Sequence, residues 1–329
     1  MTSEFDLIDA IARDLRARRT SGVVAGIGDD AAVLRVAGRN DLVVTVDAMI
    51  EGRHFRRDWL TWPQVGARLA AINLSDIAAM GAAPKFALVS LAVPKSVGPG
   101  AVRAIERGVA RELARFGAAV VGGNLSATSG PLVCDLTLIG TCARGRAWRR
   151  RARHGDAIVV AGNLGAAAAG VTLLKAKRRA ANRRPLVTAW TKPVPRLDVS
   201  ALLHRSPSVH GAIDVSDGFS SDVIHLCAAS GLGCDIDGIA LPIPRAVTAF
   251  CARRGLDPLA WSMDGGEDYA LILSVAAKRA AAVCRRIRDA GVNASVVGRF
   301  TSRRGVYQVT GADGRPHRFR PGGWDHFRS

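Results

Sequence analysis

The sequence predicts a two-domain protein of α+β / α/β class, with an α+β first half joined to an α/β second half. Three observations carry that expectation. At 329 residues the chain is long enough for two ordinary hydrophobic cores. Nearly half of it is apolar (48%), with 35 glycines and few aromatics, which suits a glycine-rich fold packed by Ala, Val and Leu. Strand-like and helix-like periods mix in 1–143 and alternate more regularly beyond 153. The basic stretch 144–153 is read as the joint, giving an N-terminal domain of 1–143 and a C-terminal domain of 144–329.

In chain order, Ser3 is placed to cap a first helix that carries Phe5, Ile8, Ile11, Ala12 and Leu15 on one face. Strands are expected at 32–36 and 42–46, the second ending on Asp47. Thr61-Trp62-Pro63 opens a helix with proline in its first turn, which runs to Gly81 with Pro84 beyond. Asn73 and Asp76 fall on one face of it, amid Ile72, Leu74, Ile77 and Met80, where a charge needs a partner. A strand at 86–93, a helix at 100–116, a strand at 118–121 ending in Gly122-Gly123-Asn124, and a strand at 132–142 complete the first half.

The second half opens with a buried-type strand at 157–160. The glycine-rich turn GNLGAAAAG then leads into a helix to about Lys175. That turn lacks the Lys-Ser/Thr ending of a P-loop, so helix packing accounts for its glycines better than phosphate binding does. Residues 176–195 are basic and proline-bearing and read as a surface connection. A strand at 212–214, helices at 219–229 and 247–254, and an alternation of strand and helix over 269–309 follow.

Composition narrows the function classes. The formal charge of +18 implies anionic partners, but the arginines are spread over the chain, with clusters at 149–153 and 175–184. No aromatic-interleaved basic motif or zinc finger accompanies them, so specific nucleic-acid binding is not expected. No apolar run approaches the ~20 residues of a membrane span. The N-terminal stretch has acids where an export signal has a basic leader. The six cysteines form no C-x-x-C pair and no zinc spacing, and read as buried reduced thiols in a cytoplasmic protein.

The chemistry-bearing residues are acids set beside glycines or small hydroxyls. Gly26-Ile27-Gly28-Asp29-Asp30 opens the series, followed by Asp47, Ser75-Asp76, Asp214-Val215-Ser216-Asp217-Gly218 and Gly265-Gly266-Glu267-Asp268. Any one alone reads as a polar turn. Collected from distant points, such carboxylates suit hard divalent cations that hold phosphates.

Together GIGDDAAV, TVDAMIEGRHF, NLSDIAAMGAAP, IDVSDGFSSDVIHL, GGEDYAL and GGWDHF resemble the thiamine-monophosphate kinase family, in family order and over nearly the whole chain. The resemblance implies ATP-dependent, Mg2+-dependent phosphorylation of thiamine monophosphate to thiamine diphosphate. It also implies a homodimer built through a sheet or barrel of the N-terminal domains, with ligands in the cleft between the two domains of each chain. Residue by residue, it implies magnesium ligands at Asp29, Asp30, Thr45, Asp47, Asp76, Asn124, Asp214 and Asp217. Nucleotide contacts are implied at Gly123, Asn124, Arg149 and Ser216, and a thiamine phosphate pocket at His54, Glu267 and Trp324. The family commonly has Asp where Asn124 stands, and Glu106 falls where a tyrosine often packs on adenine.

The acceptor is a phosphate monoester already ionised near neutral pH, so neither a general base nor a covalent nucleophile is expected. Other ATP-dependent members of the superfamily are the nearest alternatives. A selenophosphate synthetase would want a reactive cysteine near the N-terminus, whereas the first here is Cys134. An aminoimidazole ribonucleotide synthetase is not expected to carry EGRHF or the terminal GGWDHF. A catalytically inactive polyanion-binding protein would have little use for an acid cluster that repels phosphate.

Overall fold

A computed structural model describes residues 4–15, 21–176 and 184–322. Ser3, Trp324 and residues 177–183 of the second basic cluster lie outside the described residues.

Helix α1 (Glu4–Leu15) precedes strands β1 (Val23–Ala25), β2 (Ala32–Arg35) and β3 (Asn40–Ile50). Then come α2 (Trp62–Ala79), β4 (Ala83–Pro94), α3 (Pro99–Ala114), β5 (Ala119–Thr128) and β6 (Val133–Ala143). These strands form a sheet of order β1-β2-β3-β6-β4-β5, antiparallel apart from the β4–β5 pair. The second half supplies β7 (Ala157–Ala161), α4 (Ala166–Lys175), α5 (Arg184–Thr191), α6 (Leu197–Leu203), β8 (Val209–Asp214), α7 (Phe219–Ser230) and β9 (Gly233–Asp237). It ends with α8 (Arg245–Ala252), α9 (Pro258–Asp264), β10 (Leu271–Val275), α10 (Ala280–Asp289), β11 (Ala294–Thr301), β12 (Tyr307–Thr310) and β13 (Pro316–Arg318). Its sheet runs β13-β12-β9-β11-β7-β10-β8, with β9 and β12 parallel.

Three expectations need correction. Strand β3 does not stop at Asp47. It pairs with β6 residue by residue from Asn40 to Ile50, which leaves Thr45 and Asp47 inside the strand and on the same face. Strand β5 likewise runs through Gly122-Gly123-Asn124 instead of ending there. A Cβ on Gly123 would lie 1.9 Å from the Val89 carbonyl oxygen, so glycine is what allows β4 and β5 to stay paired. Finally, the supposed surface connection 176–195 contains α5, whose Trp190 is only 1% exposed.

Helix α2 is the central element. Gln64 accepts the Thr61 backbone N–H at 2.9 Å, closing the first turn around Pro63. Most of its side chains are buried, against β3, β6 and α3 of the first half and against β8 and α6 of the second. The α2–α3 contact is close because Gly66 and Gly108 lie in it. A Cβ on Gly66 would come 2.0 Å from the Ile105 carbonyl oxygen, and one on Gly108 2.1 Å from that of Pro63. One hydrophobic cluster runs from Val33, Leu69 and Ile77 through to Val159, Leu271 and Leu273 of the second sheet, so the halves share a core. The opposite face of the second sheet packs Ile158, Val160 and Ile213 against Phe219 and Phe300.

The six cysteines are buried and unbridged, and burial pushes the Cys134 thiol up to about 12. Among the described residues, no helix is long and apolar enough to cross a membrane.

Candidate active site

A cleft of about 1410 Å³ separates the two halves and is lined by both. The first half presents Asp29, Asp30, Thr45, Asp47, His54 and Asp76; the second presents Arg150, Asp214, Ser216, Asp217 and Glu267. Most of the acids singled out from sequence thus meet at one place.

Each arrives there for a local reason. Thr45 and Asp47 project from the same face of β3. Ser75 and Asp76, adjacent on α2, reach opposite sheets. Thr45 Oγ1 donates to Asp76 Oδ2 at 2.5 Å, and Ser75 Oγ donates to Asp214 Oδ2, at the end of β8, at 2.6 Å. Two neighbouring residues of α2 therefore join β3 to β8 through carboxylates. The turn after β8 is closed by Asp222, which accepts the backbone N–H groups of Ser216 and Gly218, each at 3.1 Å.

The carboxylates crowd one another. Burial first, and then the charges of Asp47, Asp214 and Asp30, raise the pKa of Asp76 well above its ordinary value. Burial followed by the Asp30 charge pushes Asp214 up to about 8. Asp222 is raised by burial and by Asp217. Asp30 is raised by burial although Arg150 pulls it down, donating to Oδ1 from Nη2 at 2.7 Å and from Nε at 3.2 Å. The other oxygen, Asp30 Oδ2, is buried with no hydrogen-bond partner.

That orphaned oxygen, and the carboxylates raised first by burial and then by neighbouring charge, fit a bound cation. Among the described residues, however, no three His, Cys, Asp or Glu side chains come together as a ready-made metal cage. Magnesium commonly takes one or two carboxylates and fills its shell with water and substrate phosphate, so an open arrangement of acids is the type it uses.

Other expected residues divide. His54 lines the cleft, and its Nδ1 accepts the Ile50 backbone N–H at 3.0 Å, which leaves the neutral ring a donor at Nε2. Asp29 is held by the Arg150 backbone N–H at 2.9 Å and by Arg149 Nε at 3.3 Å. Arg149 is not among the cleft-lining residues; its neighbour Arg150 is. Gly123 and Asn124 are exposed on β5 and do not line the cleft, and neither does Glu106 on α3.

The GGED turn assigns a separate task to each residue. Gly265 and Gly266 let it press on neighbouring backbone; a Cβ on Gly266 would sit 2.7 Å from the Ser216 carbonyl oxygen. Glu267 accepts from Arg68 and, at 2.6 Å, from Trp190 Nε1. Asp268 accepts the backbone N–H groups of Gly165 and Ala167 at 2.5 and 3.1 Å. The amides of the glycine-rich turn before α4 are thus taken by an internal carboxylate, in keeping with a packing role for that turn.

Sequence reading missed Arg68, Arg150, Trp190 and Asp222. Three stand apart from any acid motif, and Asp222 falls within IDVSDGFSSDVIHL but past its acid turn, so their partners emerge only from the fold.

Comparison with known proteins agrees with the geometry. Residues 28–142 match the N-terminal domain model of the AIR synthase related proteins, and residues 153–309 match the C-terminal one. The thiamine-monophosphate kinase of Rhodopirellula baltica is 34% identical, over 94% of each chain. The chain belongs to the thiamine-monophosphate kinase family. Among solved structures, AaThiL complexed with AMPPCP and TMP superposes with a TM-score of 0.85 at 30% identity, covering 99% of this chain and 97% of that one. The thiamine-monophosphate kinase of Stenotrophomonas maltophilia superposes at 0.77 with 32% identity, over 95% and 98%. Family membership thus extends across both halves and the cleft they enclose.

The raised carboxylates give a pH prediction. Asp76, Asp214 and Asp222 bind protons more tightly in the folded chain than in the unfolded one, so folding stability falls as pH rises. For Asp214 the loss begins near its unfolded value of 3.8 and is complete above about 8. In chelator, thermal melts from about pH 5 to about pH 8.5 are expected to show a shallower fall for Asp214→Asn than for the wild type. Parallel curves would refute the burden assigned to Asp214.

Proposed function

We propose that the chain transfers the γ-phosphoryl group of ATP to thiamine monophosphate, giving thiamine diphosphate and ADP. The observation that carries this is the meeting of the family's dispersed acid motifs in one interdomain cleft. In the reaction the bond between the γ-phosphorus and the β-phosphate oxygen breaks, and a phosphate oxygen of the acceptor bonds to that phosphorus. That acceptor oxygen carries its charge already, so no side chain has to remove a proton.

The task left to the protein is to bring two polyanions together in line. Magnesium, when bound, supplies positive charge that offsets both phosphates and the charge spread over the transferred group. Asp30, Asp47, Asp76, Asp214 and Asp217 are the carboxylates to hold it, with Thr45 and Asp29 beside them. Thr45 and Ser75 orient Asp76 and Asp214 through their hydroxyls. Arg150, already in the cleft, would face phosphate charge, and Arg149 is assigned to the nucleotide by its motif alone. Ser216 borders the nucleotide, while His54 and Glu267 face thiamine monophosphate. Trp324 is assigned to the same substrate by its motif alone.

Gly123 and Asn124 lie on an exposed strand, outside the cleft, and a second copy of the chain is the natural way to bring them to a ligand. The sheet face turned away from α2 and α3 supports this. Val46 and Leu88 both register with Thr137 across it, and Phe86 lies two residues before Leu88; the three are 59%, 42% and 52% exposed. We place a homodimer on this face, the division of the chain at 143/144, and the reaction in the cytoplasm. A chain that sediments as a monomer at micromolar concentration would remove the dimer from this account.

Purified protein incubated with ATP, Mg2+ and thiamine monophosphate is expected to form thiamine diphosphate and ADP one for one, resolved by chromatography of the thiamine esters. Asp76→Asn should lose at least ~10-fold in turnover, the cost of disturbing even an outer partner of a metal. No thiamine diphosphate from the wild type would overturn the proposal, and near-normal turnover of Asp76→Asn at limiting Mg2+ would remove Asp76 from the site.

A further inference from the structure

Glu267 is held more firmly than a turn residue needs. Its φ of +65° is a conformation that residues with a Cβ keep only where their surroundings impose it. Its backbone N–H donates to the Ser216 carbonyl at 2.7 Å. Its side chain, 36% exposed, is gripped from below by two groups that are almost wholly buried, Arg68 and Trp190, each 1% exposed. Arg68 Nη2 donates to Oε1, and Trp190 Nε1 donates to Oε2 at 2.6 Å. Arg68 also donates to the Trp190 carbonyl and lies over the Trp190 ring, with Cζ 4.3 Å from the centroid.

These residues come from three places: α2 of the first half, α5, and the turn before β10. Stability alone gives no reason for the arrangement, since an apolar group in place of a buried ion pair is often as stable. Its evident product is a carboxylate fixed at the surface of the cleft. Two donors occupy one lone pair on each oxygen, and a carboxylate has about four acceptor sites, so capacity remains for a further donor. Trp59, which lines the cleft, packs edge-on against Trp190 with centroids 5.5 Å apart, adding an aromatic wall beside that carboxylate.

We propose that Arg68 is a positioning residue. With Trp190 it sets Glu267 to accept a hydrogen bond from the amino group of a flat heteroaromatic ring, which in thiamine monophosphate is the aminopyrimidine. This rests on the substrate reading given above. Arg68 and Asp76 share α2 and stand eight residues apart, roughly 12 Å along the helix axis. One rigid element therefore spaces the carboxylate that reads the ring from the carboxylates that meet the phosphates.

The test is a calorimetric titration of thiamine monophosphate, and separately of AMPPCP with Mg2+, into wild type, Arg68→Met, Arg68→Lys, Trp190→Phe, Glu267→Gln and the Arg68→Met/Glu267→Gln double variant. Arg68→Met is expected to weaken thiamine monophosphate about 10-fold, the scale of a hydrogen bond to a charged group, and to leave AMPPCP within about twofold. Arg68→Lys should recover part of the loss. In the Glu267→Gln background Arg68→Met should add little, because Arg68 acts through Glu267. Unchanged binding in Arg68→Met, equal weakening of both ligands, or full additivity in the double variant would each overturn the proposal. Should Arg68→Met not fold, Arg68→Lys and Trp190→Phe decide by the same split between ligands, and no split overturns it. A wild type that binds thiamine monophosphate without phosphorylating it would sink the phosphoryl-transfer reading while leaving this test intact. No binding at all would overturn both.

Discussion

Burying three carboxyl groups at the seam of two sheets is the constraint on which this structure turns. Asp30, Asp76 and Asp214 come from different parts of the chain; burial raises all three, and the charges of neighbouring carboxylates raise Asp76 and Asp214 further. Each is nonetheless given a donor: Arg150 for Asp30, Thr45 for Asp76 and Ser75 for Asp214. Those donors sit on the joint, on β3 and on α2, so satisfying the acids also fixes how the halves face each other. A fold selected for stability alone would bury apolar groups there. The arrangement is understandable as a place built to meet positive charge, and phosphoryl transfer between two anions is a reaction that needs it.

Helix α2 makes the arrangement rigid. It is enclosed by the first sheet and α3 on one side and by β8 and α6 on the other, within a core common to both halves. From it, Ser75 and Asp76 reach the two sheets, and Arg68 reaches Glu267 two turns away. A displacement of α2 would therefore disturb the acid cluster and Glu267 together. The GGED turn complements it from the other half, with Glu267 offered to the cleft and Asp268 spent on the start of α4.

Much of this was legible in the sequence, and the limits are physical. Acids near glycine or small hydroxyls announce themselves locally, and Asp30, Asp76, Asp214 and Glu267 are legible for that reason. Their counter-charges do not. Arg150 sits in a run of arginines that reads as solvated surface, and Arg68 and Trp190 lie in segments with no motif, 199 and 77 residues from Glu267 in sequence. Strand ends are likewise hidden from local signals where pairing overrides them. Strand β3 continues past the polar Asp47 because β6 accompanies it to Ile50, and β5 passes through two glycines because β4 needs close approach at Gly123. Helix α5 was hidden in a basic, proline-bearing stretch whose Leu186 and Trp190 are the buried residues that hold it down.

If Mg2+ serves this cleft as proposed, it takes the place of protons on these buried carboxylates. The decisive measurement is a calorimetric titration of Mg2+ into the protein saturated with AMPPCP, near pH 7, in buffers of different ionisation enthalpy. Because Asp214 is pushed up to about 8 and Asp76 is raised with it, cation binding is predicted to release protons, and the apparent enthalpy should vary with the buffer. The release should shrink in Asp214→Asn. Cation binding with an enthalpy independent of buffer, in wild type and variant alike, would contradict the account.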